Sequence, residues 1–174
     1  MSLLQILSWL RRGFSGRNVI YTNTVLTVVI SGSADVVEQR IINKNVDLKR
    51  SVKVGMSGLL LGPMNTLWYN MLDKSLPGKT KSHVFKKVLL DIVVSPLFAS
   101  TFICSVAVLE GSSATDAFNE YCNKFLDVLK LDICFWPPVQ TVNFLLLQPK
   151  YRVLYVLCTM FFYSTILTYI KHKP

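Results

Sequence analysis

Apolar residues fall in runs long enough to cross a bilayer, and the polar residues inside them recur at helical spacing. The first run, residues 19–34, continues as a more polar helix through Asp35, Glu38 and Gln39. Asn23, Thr27, Ser31, Asp35 and Gln39 come every four residues, which places them on one helix face. Lipid does not tolerate such a stripe, so it is expected to face protein or a water-filled cavity. A loop carrying Lys44, Lys49, Arg50 and Lys53 is expected next. The second run, 54–72, has a small-residue face of Gly55, Gly58, Gly62 and Thr66, with a GxxxG at Gly58 and Gly62. Glycines weaken a helix in water but let a neighbouring helix approach closely in lipid. Pro63 predicts a kink there, and Trp68 and Tyr69 close the run where interfacial aromatics belong. The third run, 88–109, is the clearest span, with Asp91 near its start and Pro96 inside. The last, 153–170, is uncharged and ends in Lys171, His172 and Lys173.

Residues 113–132 follow a different pattern. Phe118, Cys122, Phe125, Leu126, Leu129 and Ile133 share one face, and Asn119, Glu120, Asn123, Lys124, Asp127 and Lys130 share the other. Ser113 and Asp116 fit a capping box, so an amphipathic helix on the bundle or at the membrane surface is predicted. The segment FWPPVQTVNFLLLQPKYR at 135–152 reads as a short hydrophobic helix bracketed by Pro137, Pro138 and Pro149. Gln140 and Asn143 sit one turn apart within it, and unpaired amides are costly among Phe, Leu and Val. In a membrane they hydrogen-bond between helices. The expected architecture is an all-α, multi-pass transmembrane bundle: about four spans, the amphipathic helix and the short proline-bracketed helix. Residues 19–174 form one domain behind a basic, amphipathic segment at 1–18. Four spans put both chain ends on one side, with only a weak charge bias between the sides.

Composition supports this reading. Of 174 residues, 51% are hydrophobic and 17% charged, against about 25% charged in soluble proteins; the mean hydropathy is +0.40. The net charge of +9 is distributed in short clusters between apolar runs, so it reads as topological and as suited to anionic lipid head groups. Direct DNA binding is not expected, because no water-facing basic patch with exposed aromatics is gathered. Residues 1–18 carry Arg11, Arg12 and Arg17 and no acid, with Leu3, Leu4, Leu7 and Leu10 on one stripe. That pattern fits a mitochondrial targeting segment, cleaved or retained, and equally a basic flank of the first span. Cys104, Cys122, Cys134 and Cys158 form no CxxC pair, and His83 and His172 are the only histidines. No metal site, disulfide framework or cofactor is therefore expected.

Four blocks in order resemble the peroxisomal membrane protein 2/4, or Mpv-seventeen, family of small mitochondrial and peroxisomal integral membrane proteins. They are Asp35 with Gln39, GPMNTLWYNMLDKSLPG at 62–78, KKVLLDIVVSP at 86–96, and FWPPVQTVNFLLLQPKYR at 135–152. The family positions matched are Gly62, Pro63, Trp68, Tyr69, Asp91, Trp136, Pro137, Gln140, Asn143, Phe144, Tyr151 and Arg152. The chain departs from the pattern at Ile92, where the family usually has Gln, at Thr66, where many have His, and at Tyr163 and Ser164, where a Trp-Asn pair is usual. RNVIYTNT at 17–24, LEG at 109–111 and KFLDVLKLDICFWP at 124–137 are most similar to the mitochondrial like-protein-2 branch. That resemblance implies a mitochondrial inner-membrane protein linked to ribosome assembly and translation. The wider family implies channel-like passage of small solutes and maintenance of mitochondrial DNA, with the peroxisomal membrane as the alternative location.

The candidate sites follow. Asn23, Thr27, Ser31, Asp35 and Gln39 are the stripe that would line a pore, Asp35 being either functional or hydrogen-bonded to another helix. Asp91 is a pore carboxylate or the structural partner of Lys87, one turn before it. Trp136 and Tyr151 read as interface anchors, and Gly55, Gly58 and Gly62 as packing residues. Catalysis finds no support: Ser57 lacks the GxSxG elbow, and no glycine-rich loop precedes a lysine. Expected partners are membrane lipids and the mitochondrial ribosome or its assembly factors, with self-association into a homo-oligomer left open.

Overall fold

The computed structural model describes residues 13, 14, 16, 18–43 and 45–171, without the side chains of 43, 120, 124, 127, 128, 131 and 164–171. Among the described residues all regular structure is helical: α1 (Asn18–Asn43), α2 (Leu48–Ser75), α3 (Lys81–Glu110), α4 (Ala114–Leu146) and α5 (Arg152–Lys171), with a 3-10 turn at Pro149–Tyr151. Two antiparallel hairpins, α1–α2 and α3–α4, meet where α2 packs on α3, and α5 lies against α1 and α4. The basic segment at 1–18 falls largely outside the described residues. Phe14, within it, is buried and its ring lies 5.2 Å from that of Tyr151.

Local chemistry sets the ends. Asp47 caps α2 by accepting from the backbone N–H of Lys49 (2.9 Å) and Arg50 (3.2 Å). Lys49, Arg50 and Lys53 therefore belong to the helix and not to the loop that the charge cluster suggested. Gly111, at φ 88°, ends α3 in a left-handed turn closed by Ser112 N–H to Ala107 O at 2.8 Å. The capping box is not formed, since the Ser113 side chain makes no cap bond.

The largest difference from expectation is α4. The amphipathic and proline-bracketed pieces form one helix of 33 residues that runs through Pro137 and Pro138. Proline removes backbone donors, leaving carbonyls one turn back without their usual partners. Side chains hold the joint instead. Trp136 Nε1 donates to Asp132 (3.1 Å), Thr141 Oγ1 donates to the Pro137 carbonyl (2.7 Å), and the Phe135 ring packs 4.4 Å from Tyr163 of α5. Five helices then alternate in direction. Asn18, at the start of α1, and Lys171, at the end of α5, therefore lie at opposite ends of the bundle.

The distribution of polarity is inverted relative to a water-soluble fold. Asn23, Thr27, Asp35, Gln39, Ser51, Thr66, Lys87, Gln140, Asn143 and Arg152 are buried, while Val25, Val29, Leu59, Leu67, Val93 and Leu97 are exposed. Burying polar groups and exposing Val and Leu is favourable only where the surroundings are hydrocarbon. By length and composition α1 and α3 are the helices able to cross a membrane among the described residues. The apolar core is small: Tyr69, Leu72, Val84, Val88, Phe144, Val153 and Leu157.

Candidate functional site

Three polar centres lie along the interior, each built from residues of different helices. The first locks the α1–α2 turn. Gln39 Nε2 donates to Asp35 Oδ2 (2.6 Å) and Ser51 Oγ (2.9 Å), and Ser51 Oγ donates to Asp35 Oδ2 (2.7 Å). Arg50 pairs with the other oxygen, Asp35 Oδ1, at 3.2 Å, and Asp47 N–H donates to Gln39 Oε1 at 2.7 Å. Asp35 is thus occupied by α2 at both oxygens.

Asn23 and Thr27 of the stripe also lie against α2. Asn23 Nδ2 donates to Thr66 Oγ1 (3.0 Å), and Thr27 Oγ1 donates to the Asn23 carbonyl (2.7 Å). No lumen separates the two helices, because the small-residue face brings the backbones together. A Cβ on Gly58 would lie 2.7 Å from Val28 N, one on Gly62 2.5 Å from Thr24 Cα, and one on Gly55 2.9 Å from Val28 O. The sequence offers the stripe as the lining of a water-filled cavity or as a face packed against protein. It is sealed by Ser51, Thr66 and the glycines of α2.

The second centre joins α2, α3 and α4. Asp91 accepts from Trp68 Nε1 (2.9 Å) at one oxygen and from Gln140 Nε2 (2.6 Å) at the other. Gln140 Nε2 also donates to Tyr69 OH (2.8 Å), and Asn143 Nδ2 donates to Gln140 Oε1 (2.8 Å). Of the amide pair singled out by the sequence, Gln140 bonds between helices, and Asn143 braces it from one turn along α4. Tyr69 is 3% exposed; it is a core residue, not an interfacial end, because α2 continues to Ser75.

The third centre is charged. Lys87 does not pair with Asp91, one turn away on its own helix. Its Nζ donates to Asp73 Oδ1 at 2.7 Å, and Arg152 binds the same oxygen. Both cations are buried, and the Phe144 ring lies beneath them, 5.7 Å from Lys87 Nζ and 5.0 Å from the Arg152 guanidinium. An aromatic face attracts a desolvated cation. Asp73, the carboxylate shared by both cations, is the site residue that sequence reading did not single out. Asp73 Oδ2, Arg152 Nε, Asn23 Oδ1 and Asn143 Oδ1 are buried without a hydrogen-bond partner.

The family positions mostly converge on the second and third centres. Trp68, Tyr69, Asp91, Gln140, Asn143, Phe144 and Arg152 meet there. Gly62 belongs to the α1–α2 seam, Trp136 and Pro137 to the α4 joint, and Tyr151 to the contact with Phe14. Ser31 and Pro63 make no polar contact with a neighbouring helix. Ser164 lies outside the described side chains. Among the described residues no group of three or more His, Cys, Asp or Glu could hold a metal ion. Cys122, Cys134 and Cys158 are free and exposed, and Cys104 is free and partly buried.

Residues 107–168 match the Mpv17 / PMP22 family. The chain is 28% identical over 165 residues to the Mpv17-like protein of Xenopus laevis, covering 92% of this chain and 80% of that one. It is 32% identical over 142 residues to the mitochondrial inner membrane protein Mpv17 of Mus musculus, covering 81% of each. Protein sym-1 of Neurospora crassa is 31% identical over 159 residues, covering 87% of this chain and 90% of sym-1. No solved structure matches the chain.

Proposed function

The chain belongs to the Mpv17 / PMP22 family, and from that premise we propose that it acts as a non-enzymatic interaction protein supporting mitochondrial ribosome assembly and translation. It is a protein of the mitochondrial inner membrane. In this reading α1 and α3 are the apolar spans, and α2, α4 and α5 complete the bundle across the bilayer. One observation carries the reading: the polar interior is engaged by neighbouring helices, and the α1–α2 seam is closed to backbone contact. A protein whose interior is closed acts through its surface. The surfaces available are the basic loops and the exposed polar positions of α4, among them Thr115, Asp116, Asn119 and Asn123.

Membranes solubilised in mild detergent and sedimented with mitochondrial ribosomal subunits test it. Co-migration is expected at low salt, weakening steeply as salt rises, because contacts to RNA phosphates release counterions. Failure to co-migrate at low salt would sink this reading. A channel for small solutes is the second reading, and the unpartnered amide oxygens of Asn23 and Asn143 favour it. Water bound there would mark the start of a polar path.

A further inference from the structure

Charge is unevenly divided between the two ends of the bundle. The end formed by the α2–α3 and α4–α5 connections holds Lys74, Lys79, Lys81, Lys86 and Lys150 around the Asp73 centre. Asp73, the one carboxylate at that end, is already bound by Lys87 and Arg152, so the rim lysines have no acid of their own among the described residues. The opposite end mixes Arg40, Lys49, Arg50 and Lys53 with Glu38, Asp47, Glu110 and Asp116.

The rim lysines do not stand apart from apolar surface. Lys81, Phe85, Leu89, Val93 and Leu97 follow one another every four residues on α3, and all five are exposed. They form one outward stripe with a cation at its head. Phe85 is 64% and Val93 74% exposed, and Lys86 is exposed beside Phe85. Across the α3–α4 contact, Lys79 Nζ donates to the Leu146 carbonyl at 3.4 Å, and Leu146 is itself 71% exposed. From Lys81 to Leu97 the stripe runs about 24 Å, close to the length of an extended acyl chain and shorter than the roughly 30 Å hydrocarbon core.

We propose that the α3 stripe and its lysine rim form a binding site for an acidic phospholipid: Lys79, Lys81 and Lys86 hold the phosphate, and Phe85, Leu89, Val93 and Leu97 receive an acyl chain. Basic clusters at helix ends recognise anionic head groups in this way. The apolar track decides between a lipid and a nucleic acid. A nucleic-acid surface would set its lysines among polar groups and exposed stacking aromatics in water, not at the head of a Leu and Val stripe. Lys79 Nζ is fixed at the C-terminal end of α4 by its bond to the Leu146 carbonyl, and Lys81 and Lys86 present their charge from the first two turns of α3.

The experiment reconstitutes the full chain into phosphatidylcholine vesicles with and without phosphatidylglycerol, extracts it in mild detergent, and counts the retained lipids by native mass spectrometry. Phosphatidylglycerol should be retained over phosphatidylcholine by at least about fivefold, the effect of one lysine near an anionic surface. Combining Lys79→Gln, Lys81→Gln and Lys86→Gln should bring retention to parity, whereas Lys49→Gln with Lys53→Gln at the other end should leave it unchanged. These positions are exposed, so the thermal melt in phosphatidylcholine alone should not move and serves as the folding control. Equal retention of both lipids by the parent chain would overturn the proposal, as would a preference that survives in the triple variant. Release of phosphatidylglycerol by glycerol 3-phosphate at equal concentration would assign the site to a soluble phosphate and exclude the lipid. Release by an RNA oligonucleotide would assign it to nucleic acid and overturn the proposal equally. None of these outcomes depends on ribosome binding.

Discussion

Gly62→Val will separate α1 from α2 and leave little folded protein. The reason is geometric. Even the Cβ of alanine at this position would sit 2.5 Å from Thr24 Cα, and at Gly58 it would sit 2.7 Å from a backbone nitrogen. Backbone atoms cannot swing aside as the tip of a lysine can, so the helices must move apart. Separation would also break the Asn23–Thr66 hydrogen bond, whose partners are the residue next to Thr24 and the residue one turn beyond Gly62. Overpacking of this kind costs on the order of 3 kcal/mol, and more where a backbone must shift. Thermal denaturation in detergent, followed by loss of the monodisperse species, measures it. Leu59→Val, on the exposed side of the same helix, is the control and should stay within about 0.5 kcal/mol of the parent. Equal stability of the Gly62 and Leu59 variants would show that the seam is not closed.

Asp73→Asn will be nearly as damaging although it changes few atoms. It leaves Lys87 and Arg152 side by side, buried, without the carboxylate that both bind. Breaking a buried pair by removing one member costs about 3–5 kcal/mol, because an uncompensated charge remains in a medium that cannot solvate it. The Phe144 face beneath the two cations offsets only part of that, about 2 kcal/mol at most for each. Adding Lys87→Met should restore more than half of the loss, since the double variant removes one charge of each sign. Asp116→Asn, at an exposed position, should change nothing measurable. If Asp73→Asn melts with the parent, or if Lys87→Met gives no recovery, charge is not what holds α2, α3 and α5 together at this end.

These two cases also mark what the sequence makes legible. The Gly55–Gly58–Gly62 face could be read directly, because small residues at helical spacing in an apolar run have one common use. Gln140 and Asn143 were legible for the same reason: an amide in hydrocarbon must find a partner. The partner itself was not. Spacing relates residues within one helix, so it offers Lys87 only Asp91 four residues on, whereas its partner Asp73 lies on another helix across the α2–α3 turn. Arg152 reaches the same carboxylate from 79 residues away, and no periodicity carries that information. The stripe on α1 was legible as needing cover, but not that α2 supplies it. Continuity of α4 was hidden for a different reason. Pro137 and Pro138 signal a helix start locally, and the packing of Phe135 and Trp136 on Tyr163, with the Trp136–Asp132 bond inside α4, outweighs that signal.

The claim beneath this account is that the polar stripe of α1 is sealed by α2 and not open to water. Thiol accessibility measures it most directly. With the native cysteines replaced, Thr27→Cys in intact membranes should resist a small, water-soluble thiol reagent and react only after denaturation, as its burial requires. Rapid labelling of Thr27→Cys from either side would reveal a water-filled path along α1 and contradict the account.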